Sequence, residues 1–180
     1  MTQTLDGATA IVTGASSGIG EATAHRLANR GASVALAARR TDRLEAVADA
    51  LREEVAVDAL VETTVERFGS LDILVNNAGL GRGSDVAEMT TEEYRTMMGT
   101  NVDGVFFATR AALPHLRESE GNLVYVGSFA GQYPRPFNPV YAATKWWLRG
   151  FALSVEASVG PDGVAVTVVN LYRRDKLEFF

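Results

Sequence analysis

Tyr141 and Lys145 stand four residues apart in the run Tyr141-Ala142-Ala143-Thr144-Lys145. On a helix that spacing puts both side chains on one face, one turn apart. A free tyrosine holds its proton up to about pH 10, so it is a poor base near neutrality. A neighbouring ammonium favours the phenolate and draws that value down. The pair therefore suits proton transfer to and from a carbonyl or alcohol oxygen. By itself the pattern is common on exposed helices, and it needs a second site to carry a functional argument.

The segment Thr13-Gly14-Ala15-Ser16-Ser17-Gly18-Ile19-Gly20 supplies that site. It follows an apolar run and opens a helical pattern. In that context glycines let backbone approach a pyrophosphate, and the helix start offers free N–H groups to the anion. Gly14, Ser16, Ser17, Gly18, Ile19 and Gly20 are the candidate contacts. The bland alternative is a glycine-rich turn that only packs a helix on a sheet. The second apolar run ends at Ala38-Arg39-Arg40, where a dinucleotide site that prefers NAD places an acid. Arg39 and Arg40, with Arg43 nearby, instead favour a 2′-phosphate, hence NADP(H) over NAD(H).

The elements that position these residues alternate along the chain. Strands are expected at Ala8–Thr13, Ser33–Ala38, Leu71–Val75, Leu123–Gly127 and Val164–Val169, each a short apolar run. Helices are expected at Gly18–Arg30, Thr41–Glu54, Val57–Phe68, Thr91–Leu116 and Pro139–Val159. Gly99, Gly104 and Pro114 should bend the fourth of these. Strands apolar on both faces and separated by helices imply a doubly wound, Rossmann-like parallel α/β sheet covered on both sides. Residues 1–180 form one domain on this reading. Two helices in succession around Glu54, with no returning strand between them, suggest that one internal strand is lacking.

Composition is that of an ordinary globular chain: 180 residues, 47% hydrophobic, 22% charged, net charge −5. No basic footprint points to nucleic acid. The absence of cysteine removes disulfides, zinc-thiolate sites and thiol nucleophiles. His25 and His115 are isolated and read as surface or satisfied polar residues, so no metal site is expected. No apolar stretch reaches membrane-spanning length, and Met1 to Gly7 lacks a secretory pattern, which together give a cytoplasmic expectation.

Five motifs in order resemble the classical short-chain dehydrogenase/reductase family: the glycine loop, Asn76-Asn77-Ala78-Gly79 after a strand, Asn101 in the next helix, Ser128 after Leu123–Gly127, and Tyr141-x-x-x-Lys145. The resemblance runs from about Ala8 to Asn170. It implies that Tyr141 is the acid/base and that Ser128 holds the same substrate oxygen. It implies that Lys145 tunes Tyr141 and holds the nicotinamide ribose, while Asn101 supports a proton relay. Asn76, Ala78 and Gly79 would line the cofactor, with Asn76 toward the adenosine. It also implies a homo-oligomer, dimer or tetramer, built on the helices at Thr91–Leu116 and Pro139–Val159. Trp146 and Trp147 then read as packing or subunit-contact residues.

Two departures accompany the resemblance. The strand that relatives end in Asp-Val is absent near Glu54. The Pro-Gly turn, substrate lid and last strand expected after Asn170 are also absent, so the C-terminal part is expected to be incomplete. The expected function is hydride transfer between NADP(H) and a carbonyl or secondary alcohol. Its alternative is a non-catalytic nucleotide-binding or assembly module of the same fold. Phe129 to Phe137 should border the substrate, with Tyr133 and Phe137 as apolar contacts and Arg135 as a possible carboxylate partner.

Overall fold

The computed structural model describes residues 4–37, 54–81 and 85–172. Five parallel strands form one sheet: β1 Thr9–Thr13, β2 Ser33–Ala37, β3 Ile73–Asn76, β4 Asn122–Ser128 and β5 Ala165–Leu171. Their order is β2-β1-β3-β4-β5. The chain therefore moves outward from β1 to β2, then returns across β1 to build the other half. That reversal leaves a crevice at the strand ends, the usual ligand position in an open α/β sheet.

Five α-helices accompany the strands among the described residues: α1 Gly18–Ala28, α2 Glu54–Phe68, α3 Thr91–Met98, α4 Gly104–Glu118 and α5 Pro139–Val159. Ile11, Leu74, Leu123 and Tyr125 point to one face of the sheet, where Val57 and Val61 of α2, Leu116 of α4 and Leu148 of α5 bury them. Ala10, Val12, Ile73 and Val75 point to the other face, beside Ala24 and Leu27 of α1. This two-residue alternation is the pleat expressing itself as two cores.

Strand β1 is buried along its whole length, as a central parallel strand should be. Strand β5 departs from the expectation of two covered faces, since its residues alternate between exposed and half-buried. The reason is the placement of helices: α2, α4 and α5 share one face, and α1 packs on β1 and β2. Each of β1, β3 and β4 has a neighbour on both sides. Among the described residues the sheet therefore runs from β2 to β5 without a gap. Residues 41–53 of the expected helix at Thr41–Glu54, together with Arg39, Arg40 and the region beyond Tyr172, lie outside the described residues, and Glu54 instead begins α2.

The expected Thr91–Leu116 helix is divided. A capping box starts α3, with Glu93 N–H on Thr90 Oγ1 at 3.1 Å and Thr90 N–H on Glu93 Oε2 at 3.0 Å. A wide π-type turn, Gly99–Asp103, then separates α3 from α4. Such turns cluster at functional sites, and this one carries Asn101. Pro114 sits inside α4 without ending it. Helix α5 begins with Pro139 in its first turn, where the missing N–H costs nothing.

Candidate active site

The glycine loop is held from two directions. Gly14 and Ala15 donate their N–H groups to the Ala37 carbonyl at the end of β2, at 2.7 and 3.2 Å. Thr13 Oγ1 accepts the N–H groups of Asn77 and Ala78, each at 3.0 Å. The Asn77 amide returns two bonds, to the carbonyls of Thr13 at 2.9 Å and Gly14 at 3.1 Å. The loop and the Asn76–Gly79 segment are therefore one rigid unit, possible because β1 pairs with β3.

This unit fits a dinucleotide phosphate. Gly14 and Gly18 adopt φ of +67° and +62°, which side chains disfavour. A Cβ on Gly14 would stand 2.8 Å from Ala78 Cα, and one on Gly20 would collide with the Asn77 amide and the Gly14 carbonyl. Ser17 occupies the N-cap of α1 without capping it through its side chain. Residues 17–19 are exposed. The first-turn N–H groups of α1 thus face a ligand site.

One cleft of roughly 300 Å³ joins this loop to Tyr141 and Lys145. Gly14, Ser16, Ser17, Ile19, Gly20, Asn76, Ala78, Gly79, Tyr141 and Lys145 all line it. Gly18, Asn101 and Ser128 are not in its wall. Gly18 opens α1 beside it. Asn101 is buried behind Leu80, whose N–H it accepts at 2.9 Å and whose carbonyl it binds at 2.8 Å. Ser128 follows the wall residue Gly127, and its Oγ accepts the Ala130 N–H at 3.2 Å, which leaves its own proton to give.

Lys145 is 8% exposed, and its Nζ donates to the Val126 carbonyl at 3.0 Å. Burial pushes its pKa down to about 8. The same ammonium lies 5.9 Å from the centre of the Tyr141 ring. Helix α5 provides both groups, as their spacing requires.

Asn76 is spent inside the protein: its Nδ2 donates to Thr109 Oγ1 at 3.2 Å, and the Thr109 and Tyr125 hydroxyls share a bond of 3.0 Å. Burial raises the Tyr125 phenol to a pKa of about 12, against the lowering effect of that bond. Thr13, Thr109 and Thr144 were not among the expected site residues. Their bonds to Asn77, Asn76 and Asn101 join partners distant in sequence; Thr13 opens the glycine-loop motif, but no local pattern marks Thr109 or Thr144.

The expected substrate border forms an aromatic cluster. Phe129 stacks on Tyr133 at 4.3 Å and meets Tyr172 edge-on at 5.3 Å, while Arg135 lies 5.2 Å from the Phe129 ring centre. Tyr172 ties this loop to the end of β5 through Gln132, at 2.9 Å. Phe137 is almost fully exposed. None of these residues lines the cleft. Among the described residues no group of three or more His, Asp or Glu side chains is placed to hold a metal ion. No described helix is long and apolar enough to cross a membrane.

Bare backbone at a helix start, sharing a cleft with a tyrosine and a buried lysine, defines a dinucleotide-dependent oxidoreductase. The short chain dehydrogenase family profile matches residues 8–173. An uncharacterized oxidoreductase of Staphylococcus epidermidis is 35% identical over 173 residues, covering 89% of this chain and 75% of the relative. An NADP-dependent 3-hydroxy acid dehydrogenase of Salmonella typhimurium is 35% identical over 170 residues, covering 87% of this chain and 68% of the relative. The crystal structure of a metagenomic short-chain oxidoreductase in complex with NADP superposes with a TM-score of 0.85 at 31% identity, covering 94% of this chain and 84% of that one. The chain belongs to the short-chain dehydrogenase family, and it is an NAD(P)-dependent oxidoreductase of that family.

Proposed function

We propose that the protein interconverts a carbonyl and a secondary alcohol with NADP(H), using Tyr141 as the acid/base. The observation that carries this is the shared cleft, which sets Tyr141 and Lys145 beside the phosphate loop. When bound, the nicotinamide supplies the hydride, and the protein supplies orientation and protons. Gly14, Ser16, Ser17, Ile19 and Gly20 would hold the phosphates; Asn76, Ala78 and Gly79 would line the central portion. Tyr141 gives its phenolic proton to the substrate oxygen, and Ser128 donates a hydrogen bond to the same atom. Lys145 places its ammonium 5.9 Å from the centre of the Tyr141 ring and would hold the nicotinamide ribose. Asn101 would support a chain of waters that resupplies protons to Lys145.

Tyr141→Phe tests the mechanism. Turnover of a carbonyl panel should fall at least about a thousandfold, while NADPH binding by fluorescence titration stays within about threefold. Full activity in this variant would end the proposal. Binding without turnover of any carbonyl by the wild type would favour a nucleotide-binding or assembly module instead.

Two further observations support NADP over NAD: the Salmonella relative is named NADP-dependent, and the metagenomic structure holds NADP. Arg39 and Arg40 would meet the 2′-phosphate. Arg39→Ala should weaken NADPH at least about tenfold and leave NADH unchanged. A homo-oligomer is supported by the partly exposed Phe106 on α4 and by Trp146 and Leu153 on α5. Trp147 instead stacks inward on Phe151 at 4.7 Å.

A further inference from the structure

The catalytic turn of α5 is approached from two sides by backbone that carries no side chain. Gly131 ends the short helical turn that follows Ser128. A Cβ on it would stand 2.7 Å from the Lys145 carbonyl oxygen, 3.1 Å from the carbonyl carbon and 3.4 Å from Lys145 Cβ. Gly81 lies on the segment leaving β3. A Cβ there would stand 3.1 Å from Cδ2 of Tyr141 and 3.4 Å from its Cε2 and Cγ. Neither glycine has a positive φ, so backbone freedom does not account for them and space does. Gly150, two turns further along α5, meets nothing within 4 Å. The tight approach is local to the catalytic turn.

We propose that Gly131 and Gly81 are positioning residues that clamp the Tyr141–Lys145 turn. Gly131 sets the separation of that turn from Ser128, and Gly81 sets the plane of the Tyr141 ring. At Gly131 the obstructing atoms are backbone, which cannot rotate aside. An added methyl there must push the turn at residues 129–131 away from α5. Ser128 moves with that turn, because its Oγ is bonded to the Ala130 N–H. At Gly81 the obstructing atoms belong to the catalytic ring itself, which must tilt. Displacements of this kind matter because proton and hydride transfer need near-attack geometry.

The kinetic part of the test rests on the oxidoreductase reading above, and the spectroscopic part does not. Gly131→Ala and Gly81→Ala should each lower kcat about tenfold or more, with NADPH affinity within about threefold of wild type. In a Ser128→Ala background, Gly131→Ala should cost less than about threefold further, since the two act through one contact. Gly150→Ala should leave kcat unchanged. The chain has two lysines, Lys145 and Lys176, so ¹⁵N-lysine labelling reports the clamp directly. The Lys145 signal should move in both variants and the Lys176 signal in neither. Wild-type kcat in both variants, a kcat loss matched by weaker NADPH binding, or an unmoved Lys145 signal overturns the clamp. If the wild type turns over no carbonyl substrate, the oxidoreductase reading fails and the Lys145 signal decides the clamp alone. If Gly131→Ala does not fold, Gly81→Ala decides it by the same measurements.

Discussion

Asn101 donates its side-chain amide to Thr144 Oγ1 at 3.0 Å, joining the wide turn after α3 to α5 between Tyr141 and Lys145. The Thr144 hydroxyl in turn donates a hydrogen bond to the Tyr141 carbonyl at 2.7 Å. The Asn101 amide also holds both backbone groups of Leu80. One buried side chain thus fixes the exit of β3, the turn Gly99–Asp103 and α5 relative to one another.

Thr144→Val keeps the shape and removes both hydroxyl bonds. Asn101 retains Leu80, so the loss should be modest: about 1 kcal/mol of stability and a several-fold fall in kcat. NADPH affinity should hold, because the phosphate loop is untouched. Thr144→Ser should restore both properties. Thermal unfolding and steady-state kinetics on the pair check this. A Thr144→Ser variant as impaired as Thr144→Val would mean that methyl packing matters and the hydroxyl does not.

Lys145 makes stability depend on pH in a definite direction. Burial lowers its pKa from 10.5 to about 8. Below about pH 8 the folded and unfolded chains both carry the charge, and the folded chain bears the full burial penalty. Between about 8 and 10.5 the folded chain releases the proton first, so the unfolded chain binds more protons and stability rises with pH. The gain saturates above the unfolded value, at roughly 3 kcal/mol. Lys145→Met should lack this component. The quantity to measure is the urea midpoint of wild type against Lys145→Met, from about pH 7 to about pH 10. A constant difference across that range would show that the ammonium is not desolvated.

The parts legible in the sequence are those with local causes. The bounds of α5 are those expected, because Pro139 fixes its first turn and apolar spacing carries it to Val159. That Tyr141 and Lys145 share one face of α5 follows from helical spacing, and the glycine loop is what marks the pair as a candidate site. The glycines at 99 and 104 announce an interruption, but not that it is a π-type turn presenting Asn101 inward. The bonds that complete the site were not legible. Thr13 meets Asn77 across 64 positions and Asn101 meets Thr144 across 43. Those contacts exist only once β1 lies beside β3 and α5 packs on β4 and β5 next to the turn Gly99–Asp103. The exposed alternation of β5 was hidden for the same reason, since Val164–Val169 looks like a strand covered on both faces.

The chain Asn76–Thr109–Tyr125 should respond unequally to its two ends. Tyr125→Phe deletes one hydroxyl and leaves Thr109 bonded to Asn76, so the cost should be about 1 kcal/mol. Thr109→Val removes the shared partner and strands two buried polar groups, Asn76 and Tyr125, which should cost about 2–4 kcal/mol. Denaturant unfolding of both variants makes the comparison. Equal losses would mean that the network is not continuous. Asn76 lines the cleft, so Thr109→Val should also loosen NADPH binding by a few-fold.

Gly14 and Gly18 separate two reasons for glycine in one loop. Both have positive φ, so alanine at either position adds a similar backbone strain of about 1–2 kcal/mol. Only Gly14 is also enclosed, with a Cβ 2.8 Å from Ala78 Cα and 3.0 Å from its N; at Gly18 nothing lies within 4 Å. Alanine at Gly14 must therefore also part the loop from the segment after β3, stretching the bonds from Asn77 and Ala78 to Thr13. The ligand-free unfolding midpoint should fall further in Gly14→Ala than in Gly18→Ala, by about 2 kcal/mol or more. Ligand-free protein is the right state for the comparison, because both residues belong to the loop proposed to hold the phosphates and binding would mix the two effects. Equal destabilisation would show that strain alone selects these glycines and that the contact with Ala78 gives way without cost.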